Sequence, residues 1–313
     1  MRDVVALIGS GLIGRGWAML FANAGSDVRI YDVDPAANDK ARAAIEDNLR
    51  ALESGRMIDS AAALLERMTW CASLESAVDG AAYVQESVFE SLEAKRAVFE
   101  QLGRATPPQT TLASSGSGIP PEDFMAGVQH RERCLIAHPF SPPHLIPLVE
   151  IVPTRWTSEH TIKATIARLE ALGQRPVLIH KPVFGFVVNR LQAVVIDEAI
   201  SLVRQGVIDP ADLDLCMSHG LGLRWAFMGP FETMDLNAAR GFKEYVTKYG
   251  DFYQTLLGTE RPARPWTGEA IERIEAWRRA ACATEGDVAQ RRLWRDGMLM
   301  KLARLLRGPR LGR

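Results

Sequence analysis

Residues 4–25 read VVALIGSGLIGRGWAMLFANAG. Val4 to Ile8 is a run rich in β-branched residues. Glycines follow at once, and then Ile13, Trp17, Ala18, Leu20 and Phe21 recur at helical spacing. The order is strand, tight turn and helix, with Gly25 closing the helix and Val28 to Tyr31 forming a second strand that ends on Asp32. Within GSGLIG, Gly9 permits the turn, Gly11 leaves the backbone open to a pyrophosphate, and Gly14 lets the helix pack close to the strand. These glycines, with Leu12 and Ile13 between them at the helix terminus, are the expected contacts of a dinucleotide. Asp32 lies eighteen positions after Gly14, where a carboxylate bonds the adenosine ribose hydroxyls and repels a 2′-phosphate, so NAD is expected rather than NADP. Asp32 has a plainer use as cap of the next helix, although Asp34 before Pro35 fills that part as well.

Outward from this unit, Pro35 to Met68 reads as helical with a break near Ser54 and Gly55, a helical hairpin inserted into the winding. Strands are expected at Ala81 to Val88, Thr110 to Ala113, Cys134 to Ala137, Leu148 to Val152 and Val177 to His180, with a helix over Leu92 to Leu102. Strands alternating with helices predict a mostly parallel, doubly wound α/β sheet of the Rossmann type. Beyond Pro182 the texture changes. Phe184 to Gln205 is one long helical pattern, Asp209 with Pro210 resembles a capped helix start, and no strand follows. The expected division is an NAD-binding domain over 1–183 and an all-α domain over 184–313 that holds substrate and dimer contacts. Phe227, Met228, Phe231, Met298, Leu299 and Met300 offer more apolar surface than a small bundle needs, which reads either as interface or as core. Arg307 to Arg313 reads as a frayed tail.

Composition narrows the partners. The 313 residues are 47% hydrophobic and carry 37 basic against 38 acidic side chains, so no global field draws nucleic acid or an anionic membrane. A small molecule and a second copy of the chain are the expected partners. Cys71, Cys134, Cys216 and Cys282 are scattered without a CxxC pair, which predicts neither zinc nor a disulfide framework and fits a reducing cytoplasm. A strand begins almost at the first residue and no long apolar run occurs, so neither export nor membrane spanning is expected.

His138 ends the apolar run LIAHPF, and strand carboxyl ends in this architecture face the ligand crevice. Twelve residues later Glu150 lies inside LVEIV, where an unpaired carboxylate is costly. Paired, the two form an acid–base dyad in which the carboxylate orients the imidazole. On the residues alone, a satisfied core histidine and a surface glutamate account for the spacing at least as well.

GSGLIGRGWAMLFANAG, QES with ESLEAKRAVFEQL, SSGSGIP, AHPFSPPHLIPLVEIVP, GFVVNRLQ and GLGLRWAFMGPFETMDLN occur in this order, and RRLWRDGMLMKLARL follows near the carboxyl terminus. Together they resemble the 3-hydroxyacyl-CoA dehydrogenase superfamily, and most of all its λ-crystallin branch, whose enzyme member is L-gulonate 3-dehydrogenase. The resemblance implies His138 as general base, Glu150 as its orienting partner, and Ser117 and Asn189 as hydrogen-bonding groups at the reacting oxygen. It implies cofactor contacts at Glu90 and Lys95, for which the residues alone suggest only a solvated helix face. It also implies a homodimer formed through the helical domain.

Substrate identity is less constrained. Ser141 stands where the family usually has asparagine, and Gly116 and Gly118 replace bulkier residues, which is expected to loosen the serine loop. The stretch from Arg42 to Arg67 holds Glu46, Asp47, Glu53, Asp59 and Glu66 with only four arginines, a poor cradle for the phosphates of coenzyme A. A small free hydroxy acid is therefore favoured, with Arg224 as candidate carboxylate ligand or, equally, a structural ion pair. The LRWAFMGP segment also resembles carnitine dehydrogenases, whose quaternary ammonium an aromatic wall at Trp225 would suit. A non-catalytic crystallin-like role is the reading from another class.

Overall fold

The computed structural model describes residues 3–226, 228–238, 242–258, 284, 287, 290, 293, 296–302 and 304. Its amino-terminal unit is built on one eight-stranded sheet, ordered β3-β2-β1-β4-β5-β6-β7-β8. The strands are β1 (Val4–Ile8), β2 (Asp27–Tyr31), β3 (Met68–Trp70), β4 (Tyr83–Glu86), β5 (Thr111–Ser114), β6 (Cys134–Pro139), β7 (Leu148–Pro153) and β8 (Arg175–Leu178). Neighbours pair in parallel except β6 and β7, which are antiparallel. The carboxyl ends of β1, β4, β5 and β6 therefore line one edge of the sheet.

Successive residues of each strand serve opposite faces, as a period of two demands. Val5, Leu7, Tyr83, Leu135, Ala137, Val149 and Ile151 enter one core with Trp17 and Phe21 of α1 (Leu12–Asn23), Ile45 and Leu49 of α2 (Pro35–Ser54), Leu64 of α3 (Ala61–Leu65) and Leu169. Ala6, Ile8, Val84, Cys134, Ile136 and Val152 enter the other, with Leu74 of α4 (Leu74–Val78), Phe99 and Leu102 of α5 (Leu92–Ala105) and Phe124 of α6 (Pro121–Met125). Each fully buried large side chain here contributes about 1.5–3 kcal/mol of transfer free energy. Leu169 belongs to α7 (Glu159–Ala171), which connects β7 to β8. Buried Arg133 fastens β6 to the end of α5. Its guanidinium donates to Thr106 Oγ1 at 2.8 Å and to the carbonyls of Thr110 and Gly103, both at 3.2 Å, where a cation favours the helix carboxyl terminus.

Four features differ from expectation. The helical reading through Met68 hides β3, a three-residue strand that follows α3 with no glycine or proline to announce it. The last strand is Arg175–Leu178, two residues earlier than expected. The long helix α8 starts at Val188 rather than near Phe184, and the compact unit built on the sheet includes residues up to Arg190. Phe186 is buried in the second core cluster and the amides of Val187 and Val188 bond Glu150, which ties this stretch to the sheet. Finally, Leu299 and Met300 are not spare surface of the helical unit, because they pack on the first core, and a Cβ added to Gly55 would lie 2.8 Å from Met300 Sδ. Accordingly the described residues 296–302 belong with the first unit.

The regular elements of the second unit are, among its described residues, all helical: α8 (Val188–Arg204) beyond Arg190, α9 (Pro210–Leu215), α10 (Gly222–Trp225), α11 (Pro230–Leu236) and α12 (Phe242–Gly258), with a π-helical segment at Cys216–Leu221. Phe227, Cys282 and the tail from Arg307 to Arg313 lie outside the described residues. Among those described, Cys71, Cys134 and Cys216 are free thiols, and no helix is long and apolar enough to cross a membrane.

Candidate active site

The glycine turn links β1 to α1. Gly9 adopts φ +99°, and a Cβ there would lie 2.5 Å from Ser87 O; one on Gly14 would lie 2.0 Å from Gly9 O. Both glycines are therefore required by the chain itself. Gly11 differs, since a Cβ there meets no atom within 4 Å, and what it spares is the approach to the helix end. Among the described residues no side chain caps α1, so its first N–H groups, around exposed Leu12 and half-buried Ile13, present the positive end of the helix dipole. That cradle fits a pyrophosphate.

Asp32 does not cap α2. That part belongs to Asp34, which accepts from Ala36 N at 2.9 Å. Instead Asp32 Oδ2 accepts from the amide and hydroxyl of Ser10 at 2.7 and 2.9 Å, and Oδ1 from Asp34 N at 3.1 Å. The carboxylate thus spans the two turns that flank it, half-buried, at the end of β2.

Glu90 and Lys95 are not a solvated helix face. Lys95 is 1% exposed, with Nζ 3.1 Å from both oxygens of fully buried Glu86, 3.3 Å from Glu90 Oε2 and 3.4 Å from Ser114 Oγ. Glu90 Oε1 in turn accepts from the amides of Ser117, Gly118 and Ile119 at 2.9, 3.2 and 3.5 Å. Burial works against ionised Glu90, but the Lys95 charge and the Ser117 and Gly118 bonds outweigh it and hold its carboxyl below the ordinary 4.5. This corrects the expected looseness of the serine loop: three successive amides are gathered on one carboxylate, and Gly116 is itself buried against Ser114 and Lys95. Glu86 escaped the sequence reading. The signal was present, because a carboxylate inside the apolar strand of YVQES needs a partner for the same reason as Glu150.

His138 and Glu150 are directly opposed across the antiparallel β6·β7 pair. Imidazole Nδ1 lies 2.9 Å from Glu150 Oε2. Glu150 is 0% exposed and His138 6%, so neither is a surface residue. The other oxygen, Oε1, accepts from Val187 N at 2.9 Å and Val188 N at 3.1 Å, at the start of α8. Burial alone would raise the Glu150 pKa, but the His138 hydrogen bond and the two amides reverse the sign and keep it below 4.5. An ionised Glu150 requires the proton on Nδ1, which leaves Nε2 as the basic nitrogen. The rings of Phe140 and Phe186 flank the imidazole at centroid distances of 5.0 and 5.6 Å.

Asn189 Nδ2 donates to Ser117 O at 3.0 Å, joining the first turn of α8 to the serine loop. Among the described residues neither side chain bonds His138 directly. Ser141 is exposed in the loop after β6, and Arg224 is exposed in α10 of the second unit.

Comparison with known proteins identifies the family. The family signature "3-hydroxyacyl-CoA dehydrogenase, NAD binding domain" matches residues 4–182, and "3-hydroxyacyl-CoA dehydrogenase, C-terminal domain" matches 185–273. A λ-crystallin homolog from Bos taurus is 44% identical over 96% of this chain and 95% of its own. An L-carnitine dehydrogenase from Pseudomonas aeruginosa is 36% identical over 86% of this chain and 83% of its own. Among solved structures, the NAD+-dependent 5-formyl-3-hydroxy-2-methylpyridine 4-carboxylic acid 5-dehydrogenase superposes with a TM-score of 0.85 at 28% identity, covering 98% of this chain and 99% of that one.

Proposed function

The chain belongs to the 3-hydroxyacyl-CoA dehydrogenase family, an NAD-binding oxidoreductase by that membership, and we propose that it oxidises the 3-hydroxyl of a small free hydroxy acid, L-gulonate first among candidates. The observation that carries this reading is fully buried Glu150 placed 2.9 Å from His138 Nδ1, an arrangement that leaves Nε2 to take the hydroxyl proton. NAD, when bound, supplies the acceptor for the hydride that leaves the same carbon. Glu150 stabilises the imidazolium formed as the proton arrives, and in the reverse direction protonated His138 returns it. The Ser117 hydroxyl and the Asn189 amide serve the reacting oxygen, where negative charge gathers during reduction. Gly9, Gly11, Leu12, Ile13, Gly14 and Asp32 hold the cofactor, with Glu90 beside its ribose. Lys95, being buried, acts through Glu90.

A free acid is favoured over a thioester because the acidic α2–α3 segment has little to offer a nucleotide. Arg50 pairs with Glu46, Arg67 donates to Gly25 O at 3.1 Å, and the Arg42 guanidinium lies 5.4 Å over the Trp70 ring. Two relatives named above for their substrates act, by those names, on carboxylates, L-carnitine and a pyridine carboxylic acid. Arg224 is the candidate partner for the substrate carboxylate, and Ser141 a candidate polar contact. A second reading, an L-carnitine dehydrogenase, draws on the 36% identical relative and on Trp225, 39% exposed beside Arg224. Exposed Phe231, Phe252 and Leu256 support a homodimer formed through the helical unit. The deciding experiment follows NADH formation with L-gulonate, L-carnitine, L-3-hydroxybutyrate and 3-hydroxybutyryl-CoA, each with NAD and NADP. Activity confined to the thioester overturns the substrate class, and inactivity on all four favours the crystallin-like role.

A further inference from the structure

Gly185 and Phe186, just before the two amides that bond Glu150, form a left-handed turn that the acid–base reading leaves unexplained. Gly185 has φ +73° and Phe186 φ +50°, two successive left-handed residues of which the second is bulky. A side chain with an aromatic ring rarely adopts that conformation and must be held in it by its surroundings. Three contacts do so. Phe186 N donates to Val183 O at 3.0 Å, its ring is 1% exposed within the core cluster that contains Phe99 and Ile136, and the next two amides end on Glu150 Oε1.

The left-handed turn has two effects at once. It turns the Phe186 ring toward the imidazole, 5.6 Å between centroids at 60°, while Phe140 contacts the same imidazole at 5.0 Å and 59°. It also points the Val187 and Val188 amides at the carboxylate that orients that imidazole. An extended backbone at 186 would send the ring and the two amides in different directions. We infer that Phe186 is a positioning residue for proton transfer, its strained turn setting the plane of His138 from one side and the bearing of Glu150 from the other. The assignment rests on the dyad reading given above, and its test is separable from that reading.

The test compares Phe186→Leu, which keeps an apolar side chain and removes the planar face, with the unsubstituted chain. Histidine labelled with ¹³C and ¹⁵N gives six imidazoles to follow by NMR without substrate, and His138→Gln assigns the one at issue. The expected result is a His138 signal that shifts and broadens into more than one ring orientation, with kcat roughly tenfold lower, KM for NAD within about twofold, and a larger solvent isotope effect. An unchanged, single His138 signal overturns the proposal whether or not kcat falls. So does unchanged kcat beside a lowered melting temperature, which would make Phe186 a packing residue only. If the leucine variant does not fold, Phe186→Met is read by the same criteria. Should His138→Gln retain full turnover, the dyad reading fails on its own, while the NMR comparison still reports whether Phe186 sets the ring.

Discussion

Replacing Glu150 by glutamine removes one charge and almost no volume, and the bonds around it let the cost be reasoned out. The glutamine has two ways to sit. With its NH2 toward Val187 and Val188 it sets donors against the amides now 2.9 and 3.1 Å away, a mismatch of about 1–3 kcal/mol. With its carbonyl there instead, the NH2 faces His138 Nδ1, which must then accept, so the ring proton moves to Nε2 and the base is lost. Either orientation also forfeits the carboxylate that stabilises the imidazolium, a charge-assisted bond of about 1.5–3 kcal/mol. The amide mismatch is present before and during the reaction and falls on stability, whereas the lost charge-assisted bond of about 1.5–3 kcal/mol falls on the transition state and corresponds to about 10–10² in kcat, at about 1.36 kcal/mol per decade. KM for NAD should hold within about twofold, since Glu150 is fully buried and its bonds among the described residues run only to His138, Val187 and Val188. Initial rates of NADH formation with the most active hydroxy acid give the answer, with His138→Gln beside it, for which a loss of about 10²–10⁴ is expected. The double variant should be no slower than His138→Gln alone, because the two residues act as a unit. A Glu150→Gln enzyme within threefold of the parent refutes the reasoning, as does a double variant whose losses multiply.

Three further outcomes follow from the geometry. Gly11→Ala should leave the thermal midpoint within about 2 °C while weakening NAD binding at least about tenfold by calorimetry, whereas Gly14→Ala, forced against Gly9 O, should cost about 1–3 kcal/mol in urea unfolding; equal stability losses would contradict the cradle. Glu90 and Glu150 both ionise below the ordinary 4.5 when folded, so the stability they contribute is complete above that value and is lost as pH falls through their lower folded values. The melting temperature should be level from about pH 8 to 5 and decline below about 4.5, with a shallower acid limb in Glu90→Gln; an equally steep limb in that variant argues against the linkage. Lys95→Met leaves Glu86 buried without its cation and should lower unfolding free energy by about 3–5 kcal/mol in urea, and an unchanged midpoint would show the network to be incidental.

Much of this could be read from local pattern. The strand–glycine–helix unit has a period change and turn residues within twenty-two positions, and physics leaves few other foldings for it. Glu150 was legible as an acid in an apolar run that needs a partner if buried, with His138 as a candidate, but the residues alone fitted a core histidine and a surface glutamate as well. The strand β3 was not, because three residues between helical alanines and a serine carry neither alternation nor a turn signal. The hold on the serine loop was hidden too. Sequence shows Glu90 as one acid in a charged helix start, and only the folded chain brings it onto the amides of residues 117 to 119. For Leu299 and Met300 the sequence left interface and core open, because packing against Gly55 joins segments some 245 residues apart, a distance no periodicity spans.

The antiparallel step between β6 and β7 has an evolutionary corollary. Because His138 and Glu150 face each other through sheet register, their meeting is held by the ladder and by the length of the connection from Phe140 to Pro147, not by the side chains that the connection exposes. Its exposed positions, Ser141 among them, can be exchanged at constant length while Phe140 stays against the imidazole and the proposed dyad stays in the ladder behind it. A lineage with this arrangement can exchange one hydroxy compound for another by editing a loop while inheriting its catalytic apparatus intact. Relatives named for carnitine and for a pyridine carboxylate are the kind of diversification such a partition permits.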